Sequence, residues 1–421
     1  MSKPWDMYRQ SHTAVLTATI QIGHSTLRGM KTVELIYCDA GGGHRSAANA
    51  LHEIARRERR PWSVRQTNLL QLFAALDVWR KLTGVSGEEG YNSMLRRGWT
   101  FGSSFMLRML HSVVRRYHRE QVAVLERHWR ENRPDVVVSF IPHFNRALYE
   151  AIQRVMPGVP LVTILTDLAD YPPHFWIEKH QTQYFICGTS LAREQALARG
   201  HPTERVFQTS GMILHPRFHD PVAERHLDDI AALGLDPARP TALVMFGGAG
   251  SAAMRTIVQL LDASGLRVQV IAVCGKNERL EASLRALPRR MPMYVTGFTP
   301  DVARLMKLAD FFIGKPGPGS ISEAVAMGLP VIVECNSWTM PQERYNAEWV
   351  EERGIGIAIR SIRRDIVKAV AAMVDPVQRG RFAARVREIP NRAVFEIPEL
   401  LEQIMSGHGA ANAAPIATVA G

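Results

Sequence analysis

Short apolar runs alternate with glycine-rich breaks and amphipathic stretches along most of this chain. Residues 32–38 form an apolar run, residues 39–43 break it, and residues 46–59 place apolar side chains at helical spacing. Further apolar runs of the same kind occupy residues 136–140, 161–165 and 183–187. This alternation of strands and helices predicts an α/β fold built on a parallel sheet.

The alternation stops after Gly211 and then begins again. A stretch rich in proline and charged residues follows Gly211 and predicts a linker. New apolar runs occupy residues 242–246, 267–273, 311–314 and 329–334. We therefore expect an extension over residues 1–30 and two α/β domains over residues 31–212 and 213–390. Residues 391–406 are predicted to form a helix that returns to the first domain, and residues 407–421, rich in small side chains, a disordered tail.

Glycine-rich loops follow three of the predicted strands, at residues 41–43, 247–250 and 317–319. Such a loop lets backbone N–H groups approach an anion at a helix N-terminus. No loop has the Walker A sequence, and each one alone is as consistent with a tight turn that binds nothing. Together they favour a phosphate-bearing ligand in a cleft between the two domains.

The loop and helix over residues 314–330 (GKPGPGSISEAVAMGLP) offer two interpretations of one carboxylate. Ser320 can begin the helix, and Glu323, three residues later, then has the spacing of a capping box. Alternatively, Glu323 lies at the mouth of the helix and accepts hydrogen bonds from a vicinal diol, as in ribose recognition.

Composition limits the class of protein. The chain has 421 residues, of which 46% are hydrophobic and 22% charged, values typical of a globular protein with two large domains. It contains no apolar run of the length that a membrane-spanning helix needs. The four cysteines are far apart and lack CxxC spacing, which argues against a zinc site and a disulfide framework and predicts a cytoplasmic protein.

The net charge of +11 suggests a polyanionic partner, either nucleic acid, an anionic membrane or a phosphorylated ligand. Over half of this excess lies in residues 80–133, where eleven basic residues face five acidic ones and alternate with aromatic and aliphatic side chains. This stretch suits a membrane surface. The alternative is a helical cover over the core with a solvated arginine face, and the sequence alone favours it over the membrane surface.

Several motifs resemble, in the same order, those of glycosyltransferase family 28, and above all its diacylglycerol glycosyltransferases, the monogalactosyldiacylglycerol synthase group. In the first half these are residues 39–45 (DAGGGHR), 77–84 (DVWRKLTG), 91–92, 134–143 (PDVVVSFIPH) and 166–176, and in the second half residues 246–250, 273–277, 297–298, 315–330 and 341–346 (PQERYN). The resemblance covers roughly residues 32–360.

The resemblance implies a GT-B fold, in which two Rossmann-like domains face each other across a cleft. It implies a UDP-hexose substrate on the C-terminal domain, and diacylglycerol or a similar lipid on the N-terminal, membrane-facing domain. Transfer in this family is inverting and needs neither a catalytic metal nor another cofactor, and the absence of a DxD triplet agrees with this. We expect a cytoplasmic, peripherally membrane-associated enzyme. Its oligomeric state is not predicted.

The resemblance also assigns the donor side. Gly297, Phe298 and Thr299 lie against the uracil, and Glu323 holds the ribose. The remaining donor contacts divide into diphosphate ligands and sugar ligands, namely Gly247, Gly248, Ser251, Gly317, Gly319 and Ser320 for the diphosphate and Gln342, Glu343 and Asn346 for the sugar.

On the acceptor side, His44 is the expected general base, because imidazole suits proton abstraction near neutral pH. Its alternative role is to shape the loop or bind phosphate. Asp167 is the rival base, or else a turn cap. His143 lines the acceptor pocket or is a core histidine. The other expected acceptor contacts are Gly42, Gly43, Trp99 and Phe105.

Four functional alternatives remain at this level. The sugar-reading region of this family varies with the donor, and residues 336–340 (NSWTM) do not assign it, so the donor can be galactose, glucose or another hexose. A different lipid acceptor, or a UDP-sugar epimerase on the same fold, is also compatible. A nucleic-acid binder ranks low, because it would not need the residues of the cleft.

Overall fold

The computed structural model describes residues 29–39, 42–74, 111–112, 114–171, 174, 176–220, 227–337 and 339–407. Most of the basic stretch lies outside these residues, together with Trp99 and Phe105, and so do most of the predicted extension and tail.

The first half of the chain forms a parallel sheet of six strands in the order β2-β1-β3-β4-β5-β6. The strands are β1 (Lys31–Tyr37), β2 (Trp62–Asn68), β3 (Val136–Ser139), β4 (Leu161–Ile164), β5 (Tyr184–Cys187) and β6 (Val206–Gln208). The helices are α1 (Gly43–Arg57), α2 (Leu69–Leu72), α3 (His118–Glu131), α4 (Asn145–Val155) and α5 (Ser190–Ala198). Strands β3 and β4 are buried along their whole length, because helices cover both faces of a parallel sheet.

The second half forms another parallel sheet of six strands, in the order β12-β11-β10-β7-β8-β9. The strands are β7 (Thr241–Met245), β8 (Gln269–Val273), β9 (Met293–Thr296), β10 (Phe311–Gly314), β11 (Val331–Glu334) and β12 (Gly356–Ile359). The helices are α6 (Leu227–Ala232), α7 (Ala253–Ser264), α8 (Glu278–Arg285), α9 (Val302–Lys307), α10 (Pro318–Ala326), α11 (Pro341–Glu352), α12 (Ile362–Val374) and α13 (Pro376–Arg387). Its order, read from β9, is that of a Rossmann sheet.

Every apolar run that the sequence predicts as a strand overlaps a strand of one of these sheets. The four strands without such a signal are β2, β6, β9 and β12, and these are the edge strands of the two sheets. Edge strands are covered on fewer sides, and the exposure of these four alternates or is intermediate. Their sequences therefore lack the continuous apolar run that marks a central strand.

A last helix, α14 (Ala393–Met405), belongs to the second half in sequence and packs on the first domain in space. Its buried face, with Val394 and Leu401, joins the cluster that contains Val33 of β1 and Leu51 of α1. Just before the helix, the Asn391 amide donates to the Met212 carbonyl at 2.9 Å. The chain thus crosses between the domains twice, at adjacent places.

A buried carboxylate joins three elements of the first domain. Glu34, in the middle of β1, is fully buried. Its Oε1 accepts a hydrogen bond from the Thr67 hydroxyl of β2 at 2.7 Å and lies 2.6 Å from the His128 ring of α3. Its Oε2 accepts from the Trp129 indole at 3.0 Å. Buried polar groups need such partners, so this network fixes α3, which lies within the basic stretch, on the sheet.

We predict that Glu34→Ala lowers the free energy of unfolding by about 3 kcal/mol, because the substitution leaves buried donors without an acceptor. Urea denaturation measures the change. The control is Glu131→Ala, at an exposed position on α3, which should change the free energy of unfolding by less than about 0.5 kcal/mol. Equal stabilities for Glu34→Ala and the unmodified chain would contradict the role of the network.

Candidate active site

The predicted site residues gather where the strand order of each sheet reverses. The first sheet reverses between β1 and β3, and the second between β7 and β10. Parallel sheets bind ligands at such a point, because the two following connections leave on opposite faces and open a crevice. The loops after β1 and β3 carry His44 and His143, and those after β7 and β10 carry Gly247 and Gly317.

His44 lies in the first turn of α1. The helix begins after Gly42, whose φ of 84° is in the left-handed region that glycine adopts without strain. The His44 Nδ1 lies 3.0 Å from the Thr166 hydroxyl. Although part of the ring remains accessible, burial lowers the pKa of His44 to about 4, and a hydrogen bond with the Phe140 backbone offsets part of that shift. The imidazole is therefore neutral at pH 7 and able to accept a proton.

Asp167 follows β4 and accepts a hydrogen bond from the Trp176 indole at 2.8 Å. Burial raises the pKa of Asp167 to about 7, the indole bond opposes this shift, and the negative charge of Glu343 adds to it. The positive charge of Lys315 acts in the opposite direction. Glu343 and Lys315 belong to the second domain, so these effects place Asp167 against the opposite side of the cleft.

His143 is held in an unusual backbone conformation, with a φ of 71°. Its Nδ1 lies 2.6 Å from Nε2 of His111, and the two rings meet edge to face. Burial lowers the pKa of His143 well below its usual value, and the charges of His111 and His44 contribute to this. His111 was missed by the sequence analysis, since it precedes His143 by 32 residues and belongs to no motif.

The glycine-rich loop after β7 packs directly on the loop after β8. The Lys276 N–H donates to the Gly248 carbonyl at 2.8 Å, and a Cβ on Gly275 would lie 2.3 Å from that same oxygen. Only glycine fits there. Ser251, at the end of the first loop, accepts a hydrogen bond from the Ala253 N–H at 3.2 Å and so supports the start of α7. The backbone at Gly248 is open, since a Cβ there would meet nothing within 4 Å.

The expectation that Ser320 begins a helix is wrong. Helix α10 begins at Pro318, with Gly317 before it, because the fixed φ of proline and its missing N–H suit the first helical position. Ser320 therefore lies inside the first turn, close to Gly319, where a Cβ would also meet nothing within 4 Å. The start of the helix is left open to a ligand.

Glu323 consequently lies in the second turn of α10 and does not form a capping box. Within the described residues its carboxylate has neither a hydrogen-bond donor nor an ion-pair partner. Burial raises the pKa of Glu323 to about 7, and the charge of Arg217 lowers it. A carboxylate without a protein partner is suited to accept hydrogen bonds from a ligand.

The loop after β9 places an aromatic ring at the rim. Phe298 is 65% exposed, and the Lys276 ammonium lies 5.6 Å from its ring centre. Gly297 packs against Glu281, and the Thr299 hydroxyl accepts a hydrogen bond from the Asp301 N–H at 3.0 Å. An exposed ring of this kind can stack on a base.

Helix α11 carries the residues assigned to the sugar. Glu343 is buried and bonded to the Lys315 ammonium, 2.5 Å away. Asn346 is fully buried, and its amide donates to the Pro316 carbonyl at 2.7 Å, which fastens the loop after β10 to this helix. The side-chain oxygens of Gln342 and Asn346 are buried without a hydrogen-bond partner among the described residues.

Three residues of the quoted motifs contact the candidate residues but were not predicted as site residues. They are Thr166, which contacts His44, Trp176, which contacts Asp167, and Lys315, which contacts Glu343.

No group of three or more metal-ligating side chains is present within the described part of the chain. In that same part, no helix is long and apolar enough to cross a membrane.

Burial lowers the pKa of His44 and raises that of Asp167, which predicts opposite effects of pH on stability. Asp167 retains its proton in the folded state up to about pH 7, so its contribution to stability falls as pH rises from about 4 to 7. His44 remains neutral down to about pH 4, so its contribution falls as pH drops from 6.5 to 4.

We therefore compare the free energy of unfolding of each variant with that of the unmodified chain. From pH 5 to pH 8 this difference should rise by about 2–3 kcal/mol for Asp167→Asn and fall by about 2 kcal/mol for His44→Gln. Chemical denaturation at both pH values measures these differences. Differences of the same sign for both variants would contradict the opposite shifts.

Comparison with known proteins extends over both domains. The family model described as monogalactosyldiacylglycerol (MGDG) synthase matches residues 44–212, and that of the glycosyltransferase family 28 C-terminal domain matches residues 241–392. The probable monogalactosyldiacylglycerol synthase 3, chloroplastic, of Oryza sativa subsp. japonica is 27% identical over 380 residues, which cover 85% of this chain and 71% of the relative.

Two solved structures share the fold. A putative UDP-N-acetylglucosamine 2-epimerase from Listeria monocytogenes superposes with a TM-score of 0.57 at 15% identity, covering 91% of this chain and 98% of that one. Anabaena HepE in complex with UDP-glucose superposes with a TM-score of 0.52 at 13% identity, covering 90% and 100%. The predicted GT-B fold is confirmed. The chain is a glycosyltransferase and belongs to the monogalactosyldiacylglycerol synthase-like members of glycosyltransferase family 28.

Proposed function

We propose that this enzyme transfers a hexose from a UDP-sugar to diacylglycerol or a similar lipid, with inversion and without a metal or other cofactor. The arrangement of the cleft carries the proposal: neutral His44 and protonatable Asp167 lie on one side, and open glycine loops with the unpartnered Glu323 on the other. The relatives named as monogalactosyldiacylglycerol synthases support the lipid acceptor. The structure of HepE with UDP-glucose supports the donor class.

In this reaction His44 takes the proton of the lipid hydroxyl while that oxygen forms a bond to the anomeric carbon. The bond between the anomeric carbon and the diphosphate oxygen breaks, and its electron pair stays on the diphosphate. The backbone N–H groups at Gly248 and at the start of α10 stabilise the departing charge. Glu323 holds the ribose and Phe298 covers the uracil. Asp167 is the alternative base.

Mixing UDP-hexoses, diacylglycerol vesicles and the enzyme should release UDP and form a glycolipid. We expect His44→Ala to lower turnover by about 10²–10⁴-fold, the usual effect of a lost general base. Glu323→Ala should also abolish most turnover, because the donor loses its ribose ligand. Lys368→Ala, at an exposed position on α12, is the control. Mass spectrometry of the product for each UDP-hexose identifies the donor sugar.

Unchanged turnover in Glu323→Ala would overturn the donor assignment, and interconversion of UDP-hexoses without lipid would identify an epimerase instead. The pH profile identifies the base. The profile is measured in Glu323→Gln, because the pKa of Glu323 also lies near 7. With His44 as the base, the residual kcat/KM of this variant is flat between pH 5.5 and 8, because the pKa of His44 lies near 4. A rise centred near pH 7 in the same variant would reassign the role to Asp167.

We further propose that the basic stretch holds the enzyme on an anionic membrane. Six arginines of this stretch lie within the described residues and all are exposed, namely Arg115, Arg116, Arg119, Arg127, Arg130 and Arg133. Arginines near an anionic surface each contribute about 1 kcal/mol to binding.

The enzyme should therefore sediment with anionic vesicles more than with neutral ones, and added salt should weaken this binding. The triple variant Arg115→Gln, Arg116→Gln, Arg119→Gln should bind at least about tenfold more weakly. The matched control is Arg363→Gln, Arg364→Gln, Arg381→Gln, an equal loss of exposed charge on the second domain. Equal binding to neutral and anionic vesicles, or none, would overturn the proposal.

A further inference from the structure

The side chain of Lys315 lies between the two glycine-rich loops of the second domain. A Cβ placed on Gly247 would lie 3.6 Å from its Cε, and one placed on Gly317 would lie 3.4 Å from the same atom. These loops follow β7 and β10, the strands on either side of the reversal in strand order. Lys315 therefore lies beside both loops whose backbone can bind an anion.

Its ammonium is held by a buried acid. The Lys315 Nζ lies 2.5 Å from Glu343 Oε1, and the Glu343 side chain is 9% exposed whereas that of Lys315 is 37% exposed. The pair is thus asymmetric, since the acid is enclosed in protein and the cation faces the cleft. The Pro316 carbonyl is bonded to Asn346, one turn along the same helix as Glu343, so the loop that carries Lys315 is fixed at two adjacent residues.

We propose that Lys315 binds the diphosphate of the donor directly, and that Glu343 holds its ammonium in place before the donor arrives. This inference rests on the proposed function, from which it takes the nucleoside diphosphate as ligand. Glu343 then acts first as a positioning residue for Lys315, in addition to the sugar contact expected from the sequence.

The cation acts on the step in which charge develops. The lipid oxygen bonds to the anomeric carbon, its proton passes to the base, and the electron pair of the broken bond remains on the terminal phosphate oxygen. The Lys315 ammonium keeps its proton and neutralises that oxygen by a charge-assisted hydrogen bond. The backbone N–H groups of the two loops then complete the anion site around it.

Binding of UDP and of uridine to the full chain, measured by calorimetry, tests the assignment. Lys315→Met keeps most of the side-chain length and removes only the charge. It should weaken UDP binding by about 10- to 100-fold, the effect of one lost charge-assisted hydrogen bond, and leave uridine binding within about twofold. Lys315→Arg should retain most UDP affinity, and Lys368→Ala should change neither ligand.

A lone Lys315→Met substitution leaves Glu343 buried without its partner and can destabilise the fold. The double variant Lys315→Met, Glu343→Gln removes both charges and should restore thermal stability while UDP binding stays weak. Glu343→Gln alone should weaken UDP binding by less than Lys315→Met does, because the ammonium remains but is no longer held in place. A UDP affinity equal to that of the unmodified chain in this variant would contradict the holding role of Glu343.

Unchanged UDP affinity in folded Lys315→Met or in the double variant would overturn the inference while leaving the proposed function intact. Failure of the unmodified chain to bind either UDP or uridine would instead overturn the donor class, and with it the proposed function.

Discussion

Burial of ionisable side chains between the two domains determines the chemistry of this cleft. Loss of solvation disfavours the charged form of every group, so it lowers the pKa of an imidazole and raises that of a carboxyl. The same environment therefore leaves His44 neutral and brings Asp167 and Glu323 to a pKa of about 7. The pKa of Asp167 also responds to the charges of Glu343 and Lys315 in the second domain, so this part of the site depends on the closeness of the two halves.

That closeness depends on the place where the chain crosses between domains. Ser210 accepts a hydrogen bond from the Arg392 N–H at 2.7 Å, and its own N–H donates to Glu396 of α14 at 2.8 Å. Gly211 packs so tightly on Asn391 that a Cβ would lie 2.7 Å from the Asn391 Cγ. The outgoing and returning segments are thus fastened together, and α14 anchors the second domain on the core of the first.

The two domains contribute different chemistry to the same cleft. The first domain supplies titratable side chains on loops that are fixed by hydrogen bonds, such as the indole of Trp176 on Asp167. The second supplies open backbone at glycines and the Lys315–Glu343 ion pair. This division is suited to a reaction in which one side moves a proton and the other stabilises a departing anion. It also explains why the excess positive charge of the chain lies elsewhere, since backbone groups and one lysine can serve the anion in the cleft.

The central strands of both sheets and the glycine loops that follow them could be predicted from the amino-acid sequence, because a strand covered on both faces must be a continuous apolar run. It also placed His44 and Glu323 at the cleft, since each belongs to a loop–helix unit that is local in sequence. It did not predict the edge strands, whose partial exposure removes that signal. Nor did it predict the pairs His111–His143 and Lys315–Glu343, whose members are separated by 32 and 28 residues. These contacts and the pKa shifts arise in the folded chain, because both depend on how distant elements pack and on how much solvent they exclude.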